Sequence, residues 1–581
     1  MTQLQGTFVT LPDVLECRAE TEPDRLLYTF LIDGEKEERN LTVGELSRMS
    51  RAIAVALKNR GLVGKRALLL FPPGLDYIAG FLGCLYAGTV AVPAYHSNRR
   101  VRIENLERIV NDSGADVVLA LSDQVSALRS QFVGSPTLRQ LEILAIDEVS
   151  LDAAFRWKRP DVDEGTLAYL QYTSGSTMSP RGVMVSHGSL MANFEVIQNV
   201  VQFHADDRIV QWVPLHHDMG LINALSAVYH GCRSILLAPF HFVQRPYRWL
   251  AAVTRYRATV TGGPNFALDL CNAGISEAQR KTLDLNSLKI LFCGAEPVRV
   301  DTLESFAENF RDCGFRQEAL SPCYGLAEFT AGVCGVAFDQ GPITLRLSRQ
   351  HLADGVVVPA EESDKETDAV RLVGCGSAAP EHMIRIVRPE TSVRASDDQI
   401  GEIWVAGASK SDGYWGHSDV DHKDFSAQLE GVPDAFLRTG DLGFIAQGQL
   451  FITGRRKDLI IISGKNHYPQ DIENTVGHCW PTFVHSSCAA FMDEGTSPRL
   501  IVVQEWRPDP SEDRRSAIDA AIGAISRVHD LAVAAIVLVR ANSIPRTTSG
   551  KIQRSRCAQL FGEGDFPHAL AFWRGTTSCV S

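Results

Sequence analysis

Short apolar runs and amphipathic runs alternate along this chain. "ALLLF" (67–71), "DVVLALS" (116–122), "SILLAPF" (234–240) and "LKILFCG" (288–294) lack the apolar–polar alternation of a half-exposed strand. They predict strands buried on both faces. The stretches between them have a helical period. After Ser186, Leu190, Phe194, Ile197 and Val201 recur at spacings of three and four, which places them on one helical face with Ser186 as N-cap. Strands alternating with helices predict an α/β fold, with a mostly parallel sheet covered by helices.

The uncharged stretch "YIAGFLGCLYAGTVAVPAY" (77–95) approaches the length of a membrane span. Its glycines and Pro93 instead predict a buried helix that stops at Gly88, then the buried strand "TVAVPAY". Two later shifts matter. Residues 339–368 lose regular pattern and end in the acidic run "PAEESDKETD", which reads as an insertion or exposed loop. Residues 399–415, "QIGEIWVAGASKSDGYW", read as a small β unit. Beyond "GRRKD" (454–458), "LIVVQEW" and "AVAAIVLVR" predict strands flanking a helix that carries Ile518, Ile522, Ile525 and Val528 on one face. The expected organisation is a large N-terminal domain of helix-covered sheets with a small β unit, residues 1–457, and a small α/β C-terminal domain, residues 458–581.

Composition narrows the function. The chain has 581 residues, 45% hydrophobic and 22% charged, ordinary values for a soluble globular protein. The net charge of −12 argues against non-specific nucleic-acid binding. The 13 cysteines are scattered and form no C-x-x-C pair, so neither a zinc site nor a disulfide framework is indicated. No basic region leads into an apolar run at the N-terminus. The expectation is a cytoplasmic protein with no membrane span.

Candidate chemistry begins at "YTSGSTMSPRG" (172–182), a Gly/Ser/Thr loop after the strand-like "TLAYLQYT". Such a loop offers N–H groups and hydroxyls to phosphate oxygens, or is an ordinary polar turn. It is not a P-loop, because no Lys precedes a Ser or Thr in it. In "CYGLAEFT", Glu328 follows Tyr324 by four residues, an aromatic and a carboxylate suited to a base and to Mg²⁺ near phosphates. "LRTGDLGF" puts Asp441 in a Gly-flanked turn, where it could accept from two ribose hydroxyls. "PRTTSGKIQR" holds Lys551. Each alone also reads as a turn residue, a salt bridge or a solvated lysine. The reading rests on their joint occurrence.

"YTSGSTMSPRG", "GAEP", "YGLAE", "RTGD", "GRRKD" and "PRTTSGK" together resemble the adenylate-forming (AMP-binding) superfamily over nearly the whole chain. "HHDMGL", "GGPNFALD" and "ISGKNHYPQDIE" look most like its fatty acyl-AMP ligases, with residues 343–370 where that subfamily carries an insertion. The resemblance implies that Thr173, Ser174, Gly175, Ser176 and Thr177 grip the β- and γ-phosphates of ATP. It implies that Glu328 holds Mg²⁺ and that Gly294, Ala295, Glu296 and Pro297 line the adenine. Tyr324 and Gly325 complete that wall, with the Tyr324 ring on the base. Asp441 takes the ribose, Arg455 supports ribose or phosphate, and Lys551 bridges carboxylate and α-phosphate. Asp458 is then the hinge of a mobile C-terminal domain.

Met178, Arg181 and Ala327 depart from the broad superfamily pattern, which more often has Gly, Lys and Thr there. Arg keeps the charge but presents a planar fork. His217, Met219, Gly220 and Phe266 are candidates for the wall of an alkyl tunnel, with plain core packing as the alternative. The activity implied is ATP-dependent formation of fatty acyl-AMP, then transfer to the phosphopantetheine thiol of an acyl carrier protein. No carrier domain follows Lys551, so the carrier is expected in trans. The alternatives are a fatty acyl-CoA ligase and a non-catalytic adenylate-binding protein. The insertion is expected to dock through "ITLRLSRQHLADGVVV", leave its acidic part in water, and disfavour coenzyme A.

Overall fold

The computed structural model describes residues 8–95, 100–173, 180–416, 422–493, 499–507, 509, 512–547 and 550–575. Two large sheets dominate it. The first runs in the order Glu142–Ala145, Val117–Ala120, Arg66–Leu69, Val90–Pro93, Leu167–Thr173, Arg181–Ser186, and only the last strand is antiparallel to its neighbour. The second has nine strands. Its parallel centre is Leu320–Gly325, Ile290–Cys293, Val260–Gly263, Arg208–Gln211, Arg233–Leu237 and Leu26–Leu31. Antiparallel strands Gly332–Gly335, Ser377–Ala378 and Glu38–Thr42 close its edges.

The four apolar runs are strands, as their patterns predict. Uniform apolarity has a physical cause here: both faces of each sheet are covered. The main core lies between the two sheets and joins Leu69, Ala91 and Val117 of one to Tyr28, Ile209 and Ile290 of the other. Helix Leu75–Ala87 is buried along its length and stops at Gly88, which is left-handed at φ +67. Strand Val90–Pro93 follows, so the uncharged stretch is core. Helix His187–Val201 starts at Ser186, whose side chain accepts from the Ser189 N–H in a capping box.

The small β unit is a five-stranded antiparallel sheet that includes Gly401–Ala406 and the long pair Ala435–Ala446 and Gln449–Arg455. Segment 339–368 is more ordered than its sequence pattern predicts. Thr344–Ser348 pairs antiparallel with Ala369–Val373. Leu347 and Leu352 pack with Phe444, Phe451 and Tyr468, while Glu361, Glu362 and Glu366 are exposed. The smaller C-terminal domain is a four-stranded sheet, Phe483–Asp493, Arg499–Trp506, Val533–Arg540 and Ala569–Arg574. Helices Pro469–His478 and Arg514–His529 contribute Ile472, Val476, Ile518 and Ile525 to its core.

Candidate active site

The parallel strands of the nine-stranded sheet end together, and the loops beyond their C-terminal ends form a crevice, the usual ligand position in such sheets. A cavity of about 690 Å³ lies there. Thr173, Ala295, Glu296, Pro297, Tyr324, Gly325, Glu328, Asp441, Arg455, Asp458 and Lys551 all line it, with Met219 and Phe266. Stretches far apart in the chain thus meet in one space. Ser174, Gly175, Ser176 and Thr177 lie outside the described residues, as does Met178; the strands on either side pair Thr173 with Arg181.

Asp441 is in strand Ala435–Ala446, not in a turn, and Gly440 before it has φ +70. Its carboxylate is buried. The Tyr324 hydroxyl donates to Oδ2 at 2.6 Å, and Arg455 Nε lies 3.1 Å from Oδ1. The Asp441 charge raises the pKa of the Arg455 guanidinium. Burial, with the Asp441 charge second, pushes the Tyr324 phenol well above its ordinary value. Tyr324 therefore stays a neutral donor.

Glu328 sits in the single 3₁₀ turn Ala327–Phe329. The Tyr414 hydroxyl donates to its Oε1 at 2.6 Å, and Arg181 lies over the Tyr414 ring, 5.2 Å from its centroid. Tyr414 escaped the sequence reading. It is held because Trp415 N–H donates to Gly182 O at 2.8 Å and Met184 N–H to Gly413 O at 2.9 Å, a pairing no local pattern announces. Arg181 thus packs on the ring whose hydroxyl binds Glu328.

The loop "GAEP" is tied to the helix Asn265–Gly274. Asn265 Nδ2 donates to Pro297 O at 2.8 Å, and Phe266 N–H to Glu296 Oε1 at 3.3 Å. Ala295 is left-handed at φ +69, a conformation that costs a residue with a Cβ. Gly294 does not line the cavity. A Cβ there would sit 2.6 Å from Cys323 Sγ, so its smallness serves close packing. His217 and Gly220 do not line it either. At Gly220 a Cβ would meet Pro214 O at 2.2 Å, and this explains the glycine without a ligand.

Lys551 enters from the C-terminal domain. Its N–H donates to Thr547 Oγ1 at 3.1 Å, and its carbonyl accepts from Thr547 N–H at 2.8 Å. Gly550 beside it has φ +88 and touches Phe266, whose Cε1 would lie 2.7 Å from a Cβ. Asp458 is bound by Arg554 Nη1 at 3.1 Å, and Arg554 also grips Glu473 with two bonds of 2.7 Å.

An apolar branch leaves this polar end. Val196, Ile197, Val200 and Val201 of one helix line it opposite Val260, Ile290 and Phe292, with Ile222 and Phe203. Half of the helical face read from the sequence, Leu190 and Phe194, is core. The other half, Ile197 and Val201, packs on the same core and also lines the cavity. A second branch runs between the insertion and the C-terminal domain, past Arg349, Leu352, Arg371, Asp471 and Asn474.

Comparison with known proteins agrees with this geometry. The family described as AMP-binding enzyme matches residues 15–415, and the Disco-interacting protein 2-like AMP domain matches 457–569. The chain is 41% identical to the medium-chain-fatty-acid–[acyl-carrier-protein] ligase JamA of Moorena producens, over 96% of each chain. It is 33% identical to the long-chain-fatty-acid–AMP ligase FadD32 of Mycolicibacterium smegmatis, over 95% of each. A fatty acyl-adenylate ligase from L. pneumophila, solved with acyl adenylate and pyrophosphate, superposes with TM-score 0.75 at 37% identity, covering 97% of this chain and 98% of that one. With shared motifs, shared fold and full-length similarity, this chain belongs to the AMP-binding enzyme family, in its fatty acyl-AMP ligase branch.

Proposed function

We propose that the protein activates a fatty acid with ATP and passes the acyl group to the phosphopantetheine thiol of a separate acyl carrier protein. The carrying observation is one cavity with a carboxylate- and cation-lined end, holding Glu328, Asp441, Arg455 and Lys551, and an apolar branch leading away from it. That combination suits an amphiphile whose carboxylate must meet a phosphate. The names of the relatives point the same way.

In the first step a carboxylate oxygen attacks the α-phosphorus of ATP, and the bond to pyrophosphate breaks. Both reactants are anions, so a cation between them lowers the barrier by positioning and by charge stabilisation. Lys551 fills that role. Asp441 receives the ribose hydroxyls, with Tyr324 and Arg455 fixing its carboxylate, and the loop after Thr173 holds the leaving phosphates. Ala295, Glu296 and Pro297 line the adenine. Mg²⁺ usually rests on one or two carboxylates plus substrate phosphates, and Glu328 would hold it, neutralising phosphate charge. In the second step the carrier thiolate attacks the acyl carbon, and AMP leaves with the former carboxylate oxygen.

The second step calls for the unit beyond Asp458 to turn about that residue, and the insertion either hinders that turn or narrows the route by which a free nucleotide thiol would enter. Arg349 of the insertion pairs with Asp471 of the C-terminal domain and donates to Thr367 O and Ala369 O at 2.9 Å each. Arg371 pairs with Asp301 and Glu304 of the large domain. One strap thereby joins both sides. Among the described residues no helix is long and apolar enough to cross a membrane. The test offers radiolabelled fatty acid, ATP and Mg²⁺ with coenzyme A or a phosphopantetheinylated carrier. Label should reach the carrier and scarcely coenzyme A. Robust acyl-CoA synthesis by the unaltered protein would move the function to acyl-CoA ligase.

A further inference from the structure

The apolar branch has a floor, and its construction goes beyond a lining of aliphatic side chains. Helix His187–Val201 ends at Gln202, which is left-handed at φ +53. That turn brings the next residue, Phe203, under the helix end. Gln198 fixes it from above: Phe203 N–H donates to Gln198 Oε1 at 3.1 Å, and Gln198 Nε2 donates to Phe203 O at 3.4 Å. The ring stacks on His230, with centroids 4.5 Å apart and planes at 23°. Lys289 Nζ lies 6.0 Å from the ring centroid. Lys289 is itself held by Asp207 Oδ2 at 2.6 Å and Gln202 O at 3.0 Å. A ring stacked on a half-buried imidazole and tied through its own backbone to Gln198 is less free to swing aside than an isolated side chain.

Strand register supplies a ruler. Val260 pairs with Ile290, and Phe292 with Ser321. All four line the cavity, so the branch follows the strands from their C-terminal ends down to Ile290 and Phe203. Within strand Ile290–Cys293 the chain descends three residue steps, about 10 Å at about 3.3 Å each. An extended methylene chain advances roughly 1.2 Å per bond, as the three main-chain bonds of an extended residue do. The strand-lined part of the branch therefore takes about 8 bonds.

Resting on the acyl-activating function proposed above, we infer that Phe203, braced by His230, is a fixed stop that sets the acyl chain length, making medium-chain saturated acids better substrates than long-chain ones. The polar groups behind the stop are kept apolar-compatible. Burial first, then the Arg18 and Lys289 charges, lowers His230 to about 3, so it braces the ring as a neutral imidazole. Its Nε2 is buried with no hydrogen-bond partner among the described residues.

The test uses non-reactive acyl sulfamoyl adenylates from octanoyl to octadecanoyl, titrated calorimetrically into the full chain, beside pyrophosphate release with the matching acids. Binding should tighten with length over the medium chains and then weaken by about tenfold or more once the stop is reached, the discrimination a rigid pocket gives per misfitting methylene. Phe203→Ala should move the optimum to longer chains, and the milder Phe203→Leu should move it part of the way. Ile197→Phe, in the wall of the branch, should move it to shorter chains. Equal binding of dodecanoyl and octadecanoyl by the unaltered protein overturns the stop, as does an unshifted optimum in folded Phe203→Leu and Ile197→Phe. Acyl adenylates that bind with the predicted cutoff while no acid releases pyrophosphate would support the stop and count against the activity. Failure of every acyl adenylate to bind overturns both.

Discussion

Substitution of Gly550 by alanine probes whether Lys551 acts from the position seen here. Gly550 has φ +88, and its Cα faces the Phe266 ring so closely that a Cβ would lie 2.7 Å from Cε1. Two penalties add. A Cβ at left-handed φ costs about 1–2 kcal/mol, and overpacking against the ring costs about 1–3 kcal/mol. The cavity end of the loop cannot absorb them freely, because Thr547 bonds both ends of the Lys551 backbone and Arg546 Nη1 holds Gly550 O at 2.8 Å. The loop relieves the strain by withdrawing from Phe266 and takes Lys551 with it. Misplacement of about 1 Å at a reacting centre costs on the order of 10²-fold, so pyrophosphate release should fall about that much while ATP still binds. Phe266→Leu in the same chain removes the ring but not the backbone strain. It should restore about tenfold, leaving a deficit of about tenfold, the equivalent of about 1.4 kcal/mol of backbone strain. Single-turnover pyrophosphate release, with ATP binding by equilibrium dialysis, reads both. A rate within about twofold of wild type for Gly550→Ala, far short of that loss, would refute the placement.

Further outcomes follow from the carboxylates and the buried histidines. Glu328→Gln should raise the Mg²⁺ concentration needed for half-maximal adenylation, read by titrating the metal at fixed ATP. Asp441→Ala should raise the KM for ATP by about 10- to 100-fold, the equivalent of about 1.5–3 kcal/mol for hydrogen bonds to a charged group; an unchanged KM would place the ribose elsewhere. Burial lowers His529 to about 3 and His187 to about 4. Their folded pKa values lie below the unfolded value near 6.5, so the unfolded chain binds more protons between roughly pH 6.5 and 3, and stability falls as pH drops through that window. The thermal midpoint should decline from pH 7 to 4, and His529→Gln should flatten part of the decline in a fluorescence melt.

Much of this site is legible in the sequence because the chemistry is local. A glycine beside Lys551, a carboxylate after "YGLA" and an aspartate after "RTG" are read one motif at a time, and all three acidic or basic groups reach the same cavity. The apolar branch is not legible. Ile197 and Val201 share a helical period with Leu190 and Phe194, but periodicity reports which face is apolar, and not whether atoms or empty space lie opposite. Phe203 follows the helix and belongs to no pattern. Tyr414 is placed by a bridge to Val183, with Trp415 bonded to Gly182 and Gly413 to Met184, a long-range event. Gly220 and Gly294 show the reverse case, glycines in motif-like runs whose role is to let backbone or sulfur approach.

Adenylation itself is tested most directly by mass spectrometry of a mixture of protein, dodecanoic acid, ATP and Mg²⁺, run beside the Lys551→Ala variant. Unaltered protein should accumulate dodecanoyl-AMP with matching pyrophosphate, and Lys551→Ala should form it on the order of 10²-fold more slowly or worse while still binding ATP. No acyl-AMP from the unaltered protein with any fatty acid, or equal rates from the two, would contradict the account.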